Sequence, residues 1–459
     1  MTLTAQEPER FNGKEMNFDS DTISKDNSAQ LFERARAVMP SGYTRNMLVT
    51  KPHPFYAVSA DGPYIRDADG RTRIDWVNNF ASLIHGHNKR EVVEMISQQA
   101  ARLLSATMPA EWEVRLAELL VERIPSVEQV RFMNSGTEAN LIAIKAARAF
   151  SGRSKVAKLE GGYHGQYDLL EASYMPSANK WGDREHPAVL AHNAGTPNSL
   201  LDELVLFPLN DIATMREILA RNASEVGTVI IDPSGLSLGA GVYAEREFLV
   251  ALRETTEKLG MVLIFDEVWS LRTGYGGTQG IIDVTPDLTT MGKMIGGGLP
   301  VGAVGGKREV MSVFSVDEGE PKVKHSGTFT GNPMSMAAGF VAMSLMTPGA
   351  FDMLAAQGQR LADGLRRALA DTRTQGHVVN RGSMTNVLFT ESIPVDYRDL
   401  YTQQTPEVSA LSAIMPKLMA AEGLHVLRNM FVGSTAISDD DVDQTISAVT
   451  RGLTAARKA

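Results

Sequence analysis

A regular alternation of short apolar runs and amphipathic stretches between residues 96 and 330 constrains the fold most. Amphipathic stretches at 137–150 and 244–258 have helix periodicity. Apolar runs predict strands at 130–133, 156–159, 204–207, 228–231, 262–265, 288–291 and 301–304. Strands separated by helices indicate a mostly parallel, doubly wound sheet, and near-continuous apolar strands fit burial on both faces. The sequence therefore predicts an α/β protein.

The flanking segments predict a smaller α+β domain. Helix periodicity covers 31–39, 334–345 and 351–369. Short strands are expected in the hairpin region 54–77 and at 386–389 and 424–427, and we expect the later strands to join the hairpin. The predicted division is a flexible tail (1–28), a first part of the small domain (29–95), a large domain (96–334) and a second part of the small domain (335–459).

Composition excludes several classes of protein and site. The chain of 459 residues has no cysteine, which excludes disulfides, thiolate metal sites and cysteine nucleophiles. A net charge of −9 argues against nucleic acid and anionic membranes as partners. Residues 1–30 lack the apolar core of a signal peptide, and no run approaches the roughly 18 apolar residues of a membrane span. We expect a cytoplasmic protein that binds neither nucleic acid nor membranes.

A carboxylate and an amine follow two of the predicted strands. Asp266 closes the strand at 262–265, and Lys293 lies two residues beyond the strand at 288–291. At neighbouring strand ends, a carboxylate can pair with a protonated pyridine nitrogen and an amine can form a Schiff base with an aldehyde. The pair indicates pyridoxal 5′-phosphate (PLP). A helix-capping acid and a solvated lysine are the alternatives for the separate residues.

A turn at another strand end suits a phosphate. Ser135, Gly136 and Thr137 follow the strand at 130–133 and open a helix. Free backbone N–H groups, the helix dipole and two hydroxyls together form an anion site. An ordinary helix cap is the alternative interpretation.

Two further side chains are placed to contact a flat ring. Tyr163 follows two glycines after the strand at 156–159, and Val268 lies two residues beyond Asp266. The tyrosine ring can lie on a cofactor and the valine can pack beneath it. A buried aromatic turn is the alternative for Tyr163. Because ligands of open α/β sheets bind at the carboxyl ends of strands, we expect these groups to form one site.

Two competing motifs are weaker. Residues 239–244 fit a G-x-G-x-x-A dinucleotide fingerprint, but residues 233–238 separate the motif from its strand, and a nicotinamide cofactor leaves Lys293 unexplained. His85 and His87 suggest a metal, yet no third ligand has a recognisable spacing, so no metal site is predicted.

The motifs together resemble class III, fold-type I PLP-dependent aminotransferases. Within that group, the chain looks closest to the branch of glutamate-1-semialdehyde aminomutases and β-amino-acid (β-phenylalanine) aminotransferases. The resemblance runs from Leu31 to Leu453. Its most specific motifs are RFMNSGTEAN at 131–140, GGYHG at 161–165, FDEV at 265–268, PDLTTMGK at 286–293 and HSGTF at 325–329.

The resemblance implies a role for each motif. Lys293 would carry the Schiff base and move the proton between substrate Cα and cofactor C4′, and Asp266 would keep the pyridine nitrogen protonated. Thr328 would reach the phosphate bound by a neighbouring subunit, which implies a homodimer with shared active sites. The remaining implied cofactor contacts are Ser135, Gly136, Thr137, Tyr163 and Val268.

Substrate choice is expected to depend on residues where the chain departs from the family or carries arginine. Trp269 stands where a slimmer side chain is common, and Asp232 stands where glutamate is common. Arg45 and Arg428 resemble the family's two carboxylate-binding arginines, and guanidinium groups bind both oxygens of a carboxylate. A surface salt bridge is the alternative for each arginine.

The predicted function is a ping-pong aminotransferase. It would move an amino group from a carboxylate-bearing donor, with β-amino acids as one candidate group, to a keto-acid acceptor. Three alternatives remain open: an aminomutase that returns the amine to the same molecule, an ω-transaminase for amines without a carboxylate, and a non-catalytic PLP or nucleotide-binding protein.

Overall fold

A computed structural model describes residues 26–236, 241–317 and 319–457. The predicted tail at 1–28 lies outside the described residues except for its last three, and Ser28 is already the first residue of a helix. Gly239 and Ala240 of the dinucleotide-like motif also lie outside the described residues. The first segment contains α1 (Ser28–Val38), β1 (Ala57–Asp61), β2 (Tyr64–Asp67), β3 (Thr72–Asp75), α2 (Asn78–Ala81), α3 (Arg90–Arg102) and α4 (Glu111–Arg123).

The central segment alternates strands and helices, as predicted. Its elements are β4 (Gln129–Met133), α5 (Gly136–Ser151), β5 (Lys155–Leu159), α6 (Asp168–Glu171), α7 (Asn198–Leu201), β6 (Leu204–Phe207), α8 (Ile212–Arg221), β7 (Val226–Ile231), α9 (Arg246–Lys258), β8 (Val262–Asp266), α10 (Gly277–Ile282), β9 (Leu288–Gly292), β10 (Gly302–Gly306) and α11 (Arg308–Met311). The last segment contains α12 (Pro333–Leu345), α13 (Pro348–Asp371), β11 (His377–Arg381), β12 (Met384–Leu388), α14 (Tyr397–Thr402), α15 (Pro406–Ala421), β13 (Leu424–His425), β14 (Met430–Val432) and α16 (Asp439–Ala456).

A seven-stranded sheet in the order β4-β10-β9-β8-β7-β5-β6 forms the centre of the molecule. β10 runs antiparallel to both of its neighbours, and the other pairs are parallel. All residues of β7 and β8 are buried, because helices cover both faces of the sheet. The predicted α/β fold with a mostly parallel sheet is confirmed.

The register of the sheet brings two strand ends to one level. Asp266, the last residue of β8, lies opposite Thr290 of β9. Lys293 follows β9 directly and begins a 3₁₀ turn with a left-handed backbone, at a φ of 50°. The carboxylate and the amine therefore leave the sheet at the same edge, where parallel sheets bind ligands.

The small sheets differ in part from the expectation. β13 joins the N-terminal hairpin beside β3, as expected, and gives the order β1-β2-β3-β13. β12 instead pairs with β11 and β14 in a separate sheet. The tight turn at Gly382 and Ser383 pairs Arg381 with Met384, so β11 occupies one edge of β12. β14 occupies the other edge, and no edge is left for the N-terminal hairpin.

Arg272 connects these parts of the chain. Its side chain is buried, and its guanidinium donates to Ser383 Oγ at 3.1 Å, to the carbonyl of Ala81 at 3.1 Å and to the carbonyl of Gly433. The Ala81 carbonyl belongs to α2, a turn whose residues all have positive φ. Since non-glycine residues in that region are strained, outside contacts such as this one must hold the turn.

Among the described residues, no single helix is long and apolar enough to cross a membrane. The α12–α13 pair passes that test only when counted together, and it is bent by 74° at the break.

Candidate active site

Asp266 is a buried carboxylate held by donors from three elements. Its Oδ2 accepts hydrogen bonds from His164 Nδ1 and Asn140 Nδ2, each at 2.8 Å, and its Oδ1 accepts one from the Val268 amide at 3.1 Å. Thr290 Oγ1 lies 3.4 Å from Oδ1. Burial alone would raise the pKa of Asp266, but the His164 hydrogen bond and the other donors lower it below the ordinary value. Asp266 is therefore an anion suited to a cationic partner.

The first turn of α5 has free backbone amides where the sequence predicts an anion site. Ser135 caps the helix, because its Oγ accepts a hydrogen bond from the Glu138 amide at 3.2 Å. Ser135 therefore acts as a helix cap, which was the alternative interpretation. The amides of Gly136 and Thr137 still have no acceptor within the helix. Thr137 Oγ1 accepts a hydrogen bond from the Gln166 amide at 3.3 Å, which ties the turn to the Tyr163 loop.

Two glycines allow close approach around this turn. A Cβ on Gly136 would lie 2.7 Å from Val268 Cγ1, so the first turn of α5 and Val268 pack directly against each other. Gly165 has a φ of 96°, and a Cβ there would lie 2.5 Å from Thr137 Oγ1. The structure therefore packs Val268 against Gly136, and the Tyr163 loop against Thr137.

Tyr163 extends from the loop after β5. Its side chain is 40% exposed, and its ring lies 5.1 Å from that of Tyr174 at a tilt of 57°. The next residue, His164, is buried and contacts Asp266. One loop thus carries both an exposed tyrosine ring and a hydrogen-bond partner of the buried Asp266 carboxylate.

Lys293 lies under the face of an indole ring. Its Nζ is 4.6 Å from the Trp269 ring centroid, and Trp269 Nε1 donates to Met384 Sδ at 3.0 Å. Burial lowers the pKa of Lys293 to about 8, although the charges of Asp266 and Asp232 oppose the shift. A fraction of the amine is therefore unprotonated near neutral pH, as a nucleophile requires.

Asp232 is a second buried acid in this region. Its Oδ1 accepts hydrogen bonds from the Ser234 amide at 2.9 Å and from Ser234 Oγ at 2.7 Å. Burial and the nearby charge of Asp266 raise the pKa of Asp232. The pKa values of the two acids are therefore shifted in opposite directions, downward for Asp266 and upward for Asp232.

Arg45 and Arg428 lie beside one apolar cluster. Arg45 is exposed, and its guanidinium lies 5.6 Å from the ring centroid of Phe80 in α2. Arg428 is exposed in the turn between β13 and β14, at a φ of 55°. Ala81, which follows Phe80, and Leu427, which precedes Arg428, belong to the same group. This group, the Trp269 cluster, consists of Ala81, Leu236, Tyr243, Trp269, Met384, Leu427, Met430 and Val432.

Thr328 is exposed and lies in the loop before α12. A Cβ on the preceding residue, Gly327, would lie 3.6 Å from Asn134 Nδ2, so this loop runs past the turn that opens α5. The adjacent Phe329 is 62% exposed. The loop therefore exposes a hydroxyl and an aromatic ring on the molecular surface near the start of α5.

The residues present fit PLP. The Asp266 carboxylate suits a pyridinium, the first turn of α5 suits a phosphate, and the lowered pKa of Lys293 suits an attack on an aldehyde. The close Gly136–Val268 contact and the exposed Tyr163 ring provide two surfaces for a flat ring.

Sequence reasoning missed three residues that hold the Asp266 carboxylate. His164, Asn140 and Thr290 lie within the family-like motifs, but none of them was assigned a role from the sequence. Asn140 also donates to the His164 carbonyl at 3.0 Å and accepts from Thr290 Oγ1 at 2.6 Å. The one available signal was the position of these polar residues at the carboxyl edge of predicted strands or in the first turns after it.

The fold and site together define a PLP-dependent enzyme of fold-type I. The chain belongs to the class III aminotransferase family, because the model for "Aminotransferase class-III" matches residues 47–449. PLP is accordingly its cofactor.

Relatives of two kinds match nearly the whole chain. The glutamate-1-semialdehyde 2,1-aminomutase 2 of Brevibacillus brevis is 37% identical over 438 residues, which cover 93% of this chain and 98% of the relative. The solved structure of an omega-transaminase from Sphaerobacter thermophilus has a TM-score of 0.90 and 43% identity, and the match covers 94% of this chain and 98% of that one. A β-phenylalanine aminotransferase from Variovorax paradoxus has a TM-score of 0.82 and 30% identity, with coverage of 92% and 93%.

Proposed function

We propose that this protein is a ping-pong aminotransferase whose amino donor carries a carboxylate, and that its donors include β-amino acids. The acceptor is a keto acid. The proposal is supported by two exposed arginines near residues that adjoin or belong to the Trp269 cluster. The Arg45 guanidinium lies 5.6 Å from the ring of Phe80, which precedes Ala81, and Arg428 follows Leu427. Trp269 of the same cluster lies 4.6 Å from Lys293 Nζ. In this proposal a guanidinium binds the donor carboxylate through both of its oxygens, while Lys293 acts on the carbon that carries the amino group.

Each residue of the site has a role in this proposal. Bound PLP supplies an electron sink that stabilises the charge left on substrate carbon when a proton is removed. Lys293 holds the cofactor and then moves that proton, because its lowered pKa lets it act as a base near neutral pH. Asp266 keeps the pyridine nitrogen protonated. Ser135, Gly136 and Thr137 bind the phosphate.

Two ring contacts complete the proposed cofactor site. Tyr163 stacks on one face of PLP, and Val268 packs against the other. Trp269 occupies space beside Lys293 and narrows the substrate site, since the face of its indole lies 4.6 Å from the amine and its Nε1 is held by Met384 Sδ. The donor that fits should therefore be slim near the reacting carbon.

A half-reaction screen tests the substrate class. The PLP absorbance of the purified enzyme is followed while α-, β- and ω-amino compounds are added one at a time. Carboxylate-bearing donors should discharge the band, and β-amino acids should be among them. If amines without a carboxylate alone discharge it, the protein is an ω-transaminase, and the arginine assignment is wrong.

Arginine variants test the recognition of the carboxylate directly. Arg45→Met and Arg428→Met each remove a guanidinium and keep much of the side-chain length. Each should raise the KM of a carboxylate-bearing donor or acceptor by about 10- to 100-fold, since a charged hydrogen bond contributes about 1.5–3 kcal/mol. The matched control is an amine without a carboxylate, whose KM should stay constant.

An aminomutase is the second candidate, and the names of the curated relatives at 35–37% identity favour it. Its reaction returns the amine to the intermediate from which it came. The difference lies in how tightly the site retains that intermediate, which depends on lid motion. Net transfer of isotopically labelled amine to an added keto acid supports the aminotransferase. Isomerisation of glutamate-1-semialdehyde without such transfer supports the aminomutase.

The proposal includes a homodimer in which Thr328 reaches the phosphate bound by the partner. The exposed Thr328 and Phe329 support it. Hybrid dimers of the Lys293→Ala and Thr328→Ala chains provide the test. If Thr328 acts across the interface, each hybrid contains one complete site and recovers activity. If Thr328 acts within its own chain, or if the protein is a monomer, mixing restores nothing. The cytoplasmic location stays a prediction.

A further inference from the structure

Lys158 is a fully buried lysine in β5 that the proposed chemistry does not use. Its side chain is 0% exposed. Its Nζ donates to the main-chain carbonyls of Gly162 at 2.7 Å, Leu170 at 2.6 Å and Ala172 at 2.7 Å. An ammonium group has three donors, so these carbonyls use all of them.

The three carbonyls belong to the two segments that carry the aromatic face of the site. Gly162 precedes Tyr163 directly. Leu170 and Ala172 lead from α6 to Tyr174, whose ring packs against Tyr163 at 5.1 Å. The Lys158 ammonium therefore lies at the junction of both segments.

A second contact shows that the segments are coupled. The amide of Gly161 donates to the carbonyl of Ser173 at 3.0 Å, and Gly161 forms a β-bridge with Tyr174. These backbone contacts and the Lys158 ammonium hold the same two stretches together. Displacement of one stretch would displace the other.

Burying a lysine at this position costs desolvation free energy, and the surrounding apolar side chains do not compensate for it. The neighbours Ala157 and Leu159 are buried and apolar, as expected for a strand covered on both faces. Burial lowers the pKa of Lys158 to about 7, although the charge of Glu171 opposes the shift. An apolar residue would avoid the desolvation but would leave three buried carbonyls without a donor.

We propose that Lys158 is a positioning residue for the cofactor, which holds the loop at Gly162 against the α6 segment and so sets the plane of the Tyr163 ring. The inference rests on the proposed stacking of Tyr163 on PLP. It does not depend on which donor or acceptor the enzyme uses. Lys158 itself would contact neither PLP nor substrate.

PLP titration of the apoenzyme tests the inference. Lys158→Met keeps the length of the side chain and removes every donor, so PLP affinity should fall at least tenfold and the visible circular dichroism of bound PLP should weaken. Lys155→Met is the matched control on the same strand, because the Lys155 ammonium pairs with Glu225 at 3.0 Å and its side chain is 25% exposed. The control should leave both readouts unchanged. Equal PLP affinity in Lys158→Met and the unmodified enzyme would overturn the inference.

A double-mutant cycle with Tyr163→Leu separates positioning from general destabilisation. If Lys158 acts through Tyr163, adding Lys158→Met to Tyr163→Leu should change PLP affinity by less than twofold. If the losses of PLP affinity in the two single variants multiply in the double variant, the inference is overturned. An unchanged PLP affinity in Tyr163→Leu alone would instead refute the stacking role of Tyr163, and amine exchange would remain the separate test of the reaction.

Lys158→Gln covers the case in which the methionine variant does not fold. Glutamine keeps two donors, so it should retain part of the loop contact. Its PLP affinity should lie between those of the unmodified enzyme and Tyr163→Leu. An affinity equal to that of the unmodified enzyme, together with a lower unfolding temperature, would show a purely structural role and contradict the inference.

Discussion

The amine of Lys293 should react with PLP at a much lower pH than an ordinary lysine. Burial lowers its pKa to about 8 from 10.5. At pH 7, a pKa of about 8 leaves about one amine in ten unprotonated, whereas the ordinary value leaves about one in 3,000. The rate of PLP attachment to the apoenzyme should therefore rise about tenfold between pH 7 and pH 9 and then level off.

The assay mixes apoenzyme with PLP in a stopped-flow instrument and follows the PLP absorbance at each pH. A simple alkyl amine under the same conditions corrects for the titration of PLP itself. Lys293→Ala is the control in which covalent attachment should disappear. Asp266→Asn removes a carboxylate that raises the pKa of Lys293, so its plateau should begin at lower pH.

One result would refute this reasoning. A corrected rate that still rises tenfold per pH unit above pH 9 would mean that Lys293 keeps the ordinary lysine pKa. Water would then reach the amine despite the indole of Trp269, and desolvation could not be the source of its reactivity.

Three further variants probe the groups around the site. His164→Leu removes a 2.8 Å hydrogen bond to the buried Asp266 carboxylate, so PLP affinity should fall by about 10- to 100-fold in apoenzyme titrations; an unchanged affinity would mean that the other donors suffice. Arg272→Met leaves several buried acceptors unpaired and should cost about 3 kcal/mol in chemical denaturation, with Arg272→Lys less damaging. Trp269→Met should raise kcat/KM for bulky donors about tenfold relative to β-alanine, and equal ratios would contradict a narrowing role.

Strand and helix positions in the large domain could be predicted closely. The strand at 204–207 has the predicted bounds, and the β8 and β9 strands extend one residue beyond the prediction. The prediction works because each apolar run is buried on both faces and is interrupted by glycine or polar residues. The small sheets could not be predicted as well, since short strands such as β12 choose partners by turn geometry and tertiary contacts.

The sequence alone determined the family and the cofactor, because those depend on residue types at short spacing. Asp266 and Lys293 could be singled out because each closes an apolar run. Only the tertiary structure decided what surrounds them. One partner of Asp266 is His164, 102 positions away, and the indole over Lys293 comes from the turn after β8. Such contacts arise where loops from different strands meet at one edge of the sheet, and burial at that edge lowers the pKa of Lys293.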